Sequence, residues 1–495
     1  MTTVDILANT QTPVHARLLI NGEWVDGAER LEVRNPAHPE ETVGTIVRGT
    51  PEDVDRAVAA AKAAQKSWAA LGYRGRGEII AKCLDALDEN IDARAFLFVR
   101  ENGKTLREAR GELVGVAQRQ RLTLELIDGL EQERQMDAPN GRTIITRRPY
   151  GVVVSIVPWN GPVGLAFMQI IPALLAGNAV VVKPPETCPL ALTKSIEQIA
   201  GILPPGVLNL ITGMPAEIGE RLTGHPDVGK IGFTGSIPSA RTIMANAAQT
   251  IKSVTLELGG NDPAIVLDDA DLSEESMQRM ANAIFRMTGQ VCMAVKRIYV
   301  PEPLKDKFLD AFIKVADKVV VGDGLEAKVT MGPLHTEKAL IRANGLVDDA
   351  ARRGATVMRL GRIDNTETFK NGYFMQPTIV TDLEDSAPLM AEEQFCPAIP
   401  ITTYSDLDEA LRRANATIHG LGGSVWGRDV ERALAVGRKI ESGTVWINTH
   451  GTEWINRRAP YGGIKQSGIG RRAGREGIEE YMQIQTLTAL ENPGA

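Results

Sequence analysis

From Gly151 onward, short apolar runs alternate with stretches whose apolar residues recur every three or four positions. The runs 152–157, 179–182, 207–211 and 230–233 predict strands, and 164–176, 190–202 and 215–223 predict the helices between them. Strand–helix–strand order predicts a parallel sheet with crossover helices, and in such sheets ligands gather beyond the carboxyl ends of the strands. A second run of this kind begins near Ala264, with a strand at 297–300, a helix at 304–319 and strands around Ile379 and Val445. The change near residue 260 predicts a domain boundary. Upstream, Asn21-Gly22 between two apolar triplets predicts a hairpin, because both residues tolerate positive φ. Thr50-Pro51-Glu52-Asp53 predicts a capped helix start, and further helices are expected at 76–90 and 93–102, the latter stopped by Gly103. The segment 130–149 fits neither run. With the terminal 484–490 it predicts exposed strands seeking a partner.

Length changes this picture only by favouring two or three domains over one in 495 residues. Apolar residues make up 43% and charged residues 24%, an ordinary globular α/β balance. A net charge of -7 argues against a nucleic-acid partner. The apolar stretch 161–182 is interrupted by Pro162, Gln169, Pro172 and Asn178, which predicts a buried helix and strand and no membrane partner. Four cysteines without regular spacing fit a reducing compartment, and no Cys/His cluster suggests a metal. With no basic-then-apolar leader at the start, a cytoplasmic location is expected.

The candidate chemistry sits at the predicted strand ends. Cys292 follows Gly289-Gln290-Val291, a turn that could present a nucleophile, although a lone cysteine is more often a small buried hydrophobe. Asn160, in Pro158-Trp159-Asn160, could aim its amide at an oxyanion or simply make a turn. Glu257, before Leu258-Gly259-Gly260, is a candidate general base or a solvated strand-end carboxylate. Lys183-Pro184-Pro185-Glu186 could meet ribose hydroxyls, and Gly235-Ser236 opens a helix whose free amides favour a phosphate. There is no GxGxxG fingerprint.

Together these residues resemble the NAD(P)-dependent aldehyde dehydrogenase superfamily, of the hydrolytic, non-acylating type. PWN at 158–160, KPPE at 183–186, GFTGS at 232–236, ELGG at 257–260, GQVC at 289–292, EEQF at 392–395 and PYGGIKQSGIGR at 460–471 stand in family order over nearly the whole chain. The resemblance implies two parallel-sheet α/β domains: a Rossmann-like NAD-binding domain from 1–126 and 150–260, and a catalytic domain from 261–463. A small β oligomerisation element would come from 127–149 and 478–495, giving a homodimer or homotetramer. It implies attack by Cys292 on an aldehyde, an oxyanion held by Asn160, a thioester after hydride transfer, and hydrolysis with Glu257 as base. Trp159, Lys183, Glu186, Gly235, Ser236, Glu393 and Phe395 would hold NAD. Glu186 would disfavour the 2′-phosphate of NADP, Glu257 argues against acyl transfer to coenzyme A, and no metal is needed. Retention of Cys292, Glu257 and Asn160 argues against a non-catalytic dinucleotide-binding protein.

Register with the family places Gly161, Leu165, Met168, Arg286 and Val291 along the substrate tunnel, together with Met293, Trp454, Ile455 and Tyr461. This mostly apolar set favours a medium-sized apolar or aromatic aldehyde, and Arg286 leaves open a semialdehyde whose distal carboxylate it would clamp. Two departures are connected. Where the family often has a lysine and a glutamate serving the general base, this chain has Gln169 and Arg472. Arg472 is expected either to pair with a carboxylate near Glu257 or to lie on the surface. Cys396, at a usual glycine, is expected to fill a small gap.

Overall fold

The computed structural model describes residues 12–139 and 141–490. The expectations that reach into 1–11 and 491–495 lie outside the described residues. Two large sheets organise the chain. The first runs Gly468–Ile469, Ser253–Glu257, Val228–Thr234, Val152–Ile156, Ala179–Lys183, Leu208–Leu210, Leu18–Ile20, Glu23–Val25. Its five central strands are parallel. Their mostly apolar sequences follow from burial on both faces, as at Val152, Val153 and Val154. The Asn21-Gly22 hairpin forms with both residues at positive φ, and Thr50 with Asp53 makes a reciprocal capping box on the helix Pro51–Ala70. That helix packs on the first sheet, and its buried Trp68 donates an indole hydrogen bond to the Leu174 carbonyl at 2.9 Å.

The second sheet runs Thr356–Arg359, Thr378–Thr381, Ala398–Tyr404, Val295–Pro301, Asp262–Val266, Gly422–Trp426, Thr444–Ile447. All neighbours are parallel except the first pair. The chain therefore changes sheets between Glu257 and Asp262, across Gly259-Gly260. A third, antiparallel sheet joins Met482–Leu490, Gly141–Pro149 and Arg134–Ala138. Ile484 and Leu490 are 73% and 58% exposed on it.

Three features differ from the sequence pattern. Residues Leu106–Leu124, for which no element was predicted, form a long helix begun by a Thr105/Glu108 capping box. Residues Val14–Ala16, Thr42–Val47 and Arg30–Arg34 form a small extra sheet. Past the second sheet the chain returns, so that Gly468–Ile469 covers the edge of the first sheet beside Glu257. No helix among the described residues is long and apolar enough to cross a membrane.

Trp68→Ala removes a large buried side chain and leaves the Leu174 carbonyl without this donor, so a loss of about 3–5 kcal/mol is expected. A urea titration checks it: the midpoint falls, while substitution at the exposed Ile251 leaves it in place.

Candidate active site

Cys292 follows the helix Glu274–Phe285 and a tight turn, Arg286–Gly289, at the entry to the strand Val295–Pro301. Three consecutive residues of that turn, Met287, Thr288 and Gly289, have left-handed φ of 50°, 60° and 70°. Such backbone costs about 1–3 kcal/mol per non-glycine residue and persists only where neighbours hold it. Here Glu108 accepts from the Met287 amide at 2.7 Å, and Thr288 donates to the Gly332 carbonyl at 2.9 Å. A Cβ on Gly289 would overlap the Cys396 carbonyl. Asn160 Nδ2 donates to the Gln290 carbonyl at 2.9 Å, which brings the amide into the cysteine loop and leaves its second N–H free to point elsewhere. The Cys292 side chain is half-buried. Burial pushes its thiol up to about 12, with the Lys296 ammonium opposing. Lys296 in turn donates to the carbonyls of Val291 and Cys292 at 2.8 and 2.5 Å.

Glu257 ends its strand 3% exposed, and neither carboxylate oxygen has a hydrogen-bond partner. Burial raises its pKa to about 8, and Arg472 is the strongest opposing charge, followed by Arg471. Arg472 is 2% exposed, so it is not a surface residue. Nor does it make an ion pair among the described residues. Its Nη1 donates to the Tyr481 hydroxyl at 3.0 Å, while Nη2 is buried without a partner. The expected carboxylate pairing is therefore corrected to a phenol contact, with an unpaired cation acting on Glu257 through space. Gln169 accepts from Ser155 at 3.1 Å. Its Oε1 and the Tyr481 hydroxyl both lie against Gly232, where a Cβ would meet them.

The remaining motif residues cluster at strand ends of the first sheet and on the turn 392–396. Lys183 is buried, with its ammonium 3.6 Å from Glu186. Ser236 caps the helix Ile237–Ala248, preceded by Gly235, whose amide donates to the Glu257 carbonyl at 3.0 Å. Glu393 accepts from the Gly260 amide at 3.1 Å, and a Cβ on Gly259 would overlap its carboxylate. Phe395, at φ 52°, stands edge-on to Trp159 at 5.8 Å, and Trp159 stacks on His335 at 4.3 Å.

Of the tunnel set, Met168, Val291, Met293, Ile455 and Tyr461 gather with Cys292, Leu421 and Trp446 in one apolar cluster. Arg286, Val291, Met293 and Trp454 also line a cavity of about 620 Å³. Leu165 packs instead on the core of the first sheet, and Gly161 stands next to it. Arg286 is already committed, its guanidinium 2.6 Å from the Glu453 carboxylate. Cys396 is buried in the core of the second sheet, as a gap-filler. Three contributors escaped the sequence pattern: Lys296, His335 and the helix Leu106–Leu124 with Glu108 and Glu112. For the helix, the Thr105-x-x-Glu108 spacing was the available signal. Lys296 and His335 carry none.

The chain is similar to known proteins over nearly its full length. It matches the profile of the aldehyde dehydrogenase family over residues 24–487. Betaine aldehyde dehydrogenase of Bacillus subtilis is 35% identical, over 97% of this chain and 98% of its own. The NADP(+) succinate-semialdehyde dehydrogenase of Escherichia coli is 36% identical, over 95% and 96%. Among solved structures, betaine aldehyde dehydrogenase of Staphylococcus aureus in complex with NAD+ superposes with a TM-score of 0.91 at 33% identity, over 99% of this chain and 97% of that one. Such agreement in sequence and fold, over a chain whose Cys292 loop is built as described, leaves one conclusion: this protein belongs to the aldehyde dehydrogenase family.

Proposed function

We propose that the protein oxidises an aldehyde to its carboxylic acid with NAD, through a thioester on Cys292 that water then hydrolyses. The observation that carries this reading is the shared placement of Cys292, Asn160 and Glu257 about the Gly259-Gly260 crossing between the two sheets. The division of labour follows the sheets: 1–126 and 150–260 hold the dinucleotide, 261–463 supplies the nucleophile, and 127–149 with 478–495 joins copies of the chain.

The residues fit the dinucleotide. A helix N-terminus under Ser236 offers amides to a pyrophosphate, the Lys183–Glu186 pair offers one cation and one acceptor to a ribose, and Glu393 is held in place by Gly260 for a second ribose. Trp159 and Phe395 close the nicotinamide end. Glu186 places negative charge where a 2′-phosphate would sit, which favours NAD over NADP. Bound there, the cofactor supplies the hydride acceptor and a cationic ring.

The protein's own groups do the rest. The Cys292 sulfur attacks the carbonyl carbon, and its raised pKa means that the thiolate must be drawn out by positive charge such as Lys296. The free N–H of Asn160 and the Cys292 backbone amide receive the oxygen as it gains charge. Glu257 then takes a proton from the attacking water, and for this it must be ionised. Met168, Met293, Ile455 and Tyr461 enclose the reacting end in apolar surface, which fits an aldehyde with an apolar or aromatic body. Clamping of a semialdehyde by Arg286 is disfavoured by its ion pair with Glu453.

NADH formation from an aldehyde panel tests the reaction: Cys292→Ala abolishes it, and added coenzyme A leaves the rate unchanged. Glu257→Gln retains a single burst of NADH while steady turnover falls about 100-fold or more. Because the base works only when ionised, wild-type deacylation rises with pH through about 8. Arg472→Gln removes the opposing cation, raises the Glu257 pKa further and moves that rise to higher pH in a stopped-flow profile. An unmoved profile would refute the role of Arg472. Light scattering checks assembly: Ile484→Glu on the exposed third sheet is expected to lower the mass from dimer or tetramer towards monomer.

A further inference from the structure

The helix Pro162–Leu175, which follows Asn160, begins without a cap of its own. Its N-cap residue is Gly161, which has no side chain to accept from the first amides. The missing acceptor comes from another helix: Glu112 Oε1, on Leu106–Leu124, accepts from the Gly164 amide at 2.8 Å. The second oxygen of that carboxylate accepts from the Lys104 ammonium at 2.6 Å. Lys104 is buried, donates also to the Asn160 backbone carbonyl at 3.2 Å, and stands 3.8 Å from the centre of the Phe98 ring. Carboxylate, carbonyl and aromatic face together occupy the three donors of this cation.

The backbone of Lys104 is fixed from the second half of the molecule. A Cβ on Gly324 would overlap the Lys104 carbonyl, and the Gly324 carbonyl accepts from the Leu106 amide at 2.9 Å. Two residues before Lys104, Asn102 Nδ2 donates to the Trp159 carbonyl at 2.8 Å. Asn160 is thereby held at both ends, its main-chain carbonyl by Lys104 and its side-chain amide by the Gln290 carbonyl. With those two points set, the direction of the remaining Nδ2 N–H is set as well. Capping Gly164 needs Glu112 alone. A buried ammonium is costly to desolvate, and the one contact it adds to its ion pair and the Phe98 face is the contact to Asn160.

Building on the aldehyde-oxidation reading, we propose that Lys104, paired with Glu112, is a positioning residue that aims the Asn160 amide at the oxygen of the reacting carbonyl. Lys104 touches neither substrate nor cofactor and acts through Asn160.

A double-mutant cycle tests this, read in single-turnover and steady-state NADH formation with whichever of hexanal and benzaldehyde the wild-type enzyme oxidises. Lys104→Met, similar in length but without a donor, should lower kcat by about tenfold or more, with KM and the NADH dissociation constant each held within about threefold. Asn160→Ala should lower kcat by about 100-fold or more. In the Asn160→Ala background Lys104→Met should cost less than about twofold, because no amide is left to aim. Glu112→Gln keeps an acceptor for Gly164 and the same side-chain shape, and its smaller loss should likewise vanish in that background. Fluorescence titration with NADH reports whether each variant is folded. Equal losses for Lys104→Met in the two backgrounds, an unchanged kcat, or a loss confined to NADH affinity would each overturn the proposal. Oxidation of neither aldehyde by the wild type would instead refute the underlying reaction.

Discussion

A carboxylate taken out of water resists ionisation, and the role of base proposed for Glu257 requires it to ionise. It is 3% exposed, both oxygens lack hydrogen bonds, and burial alone would keep it protonated at neutral pH. Much of the surrounding architecture bears on this conflict. The return of the chain at Gly468–Ile469 seals the sheet edge beside Glu257 and carries Arg471 and Arg472 to it. Arg472 is held by the Tyr481 hydroxyl, which leaves its other nitrogen unpaired. A formal ion pair would have pulled the carboxylate far below neutrality and left a weaker base. A cation held near but not bonded lowers the pKa only part of the way, to a value where the group can both lose and regain a proton.

The same economy of distance governs the crossing between the sheets. Gly259, Gly260 and Gly289 are needed because backbone or carboxylate from the opposite side occupies the space of a side chain. Glu393 sits in the notch of Gly259, and the Cys292 carbonyl lies against Gly260. The helix Leu106–Leu124 acts from the other half of the molecule, with Glu108 fixing the strained Met287 amide. Cys292 is thus positioned by groups from both halves, and a change on the first-sheet side can reach it through the Glu108–Met287 and Asn160–Gln290 hydrogen bonds.

Local signals made much of this legible. The strands around Val153, Val181 and Ile231 are mostly apolar because both faces are buried, and the motif residues stand at their ends, where the chain turns and can present a side chain. The helix Leu106–Leu124 was not legible from periodicity because its buried face carries the small or polar Ala109, Gly115, Ala117 and Gln120, although its capping box was written out. The interior position of Arg472 had no local signal at all, since an arginine beside glycines in a late segment reads as surface. What buries it is Tyr481 and the strand of Glu257, which are tertiary neighbours.

Gln169 and Arg472 make sense as one exchange only once Gln169 and the Tyr481 hydroxyl that holds Arg472 are seen to meet at Gly232. A lysine at 169 would bring a second cation towards Arg472 in a buried space, so glutamine follows from arginine on electrostatic grounds alone. Gln169 keeps a hydrogen-bonding contact there, accepting from Ser155, without adding charge. One positive group is kept, but its source moves from the helix Pro162–Leu175 to the returning C-terminal segment, and no carboxylate accompanies it at these two positions.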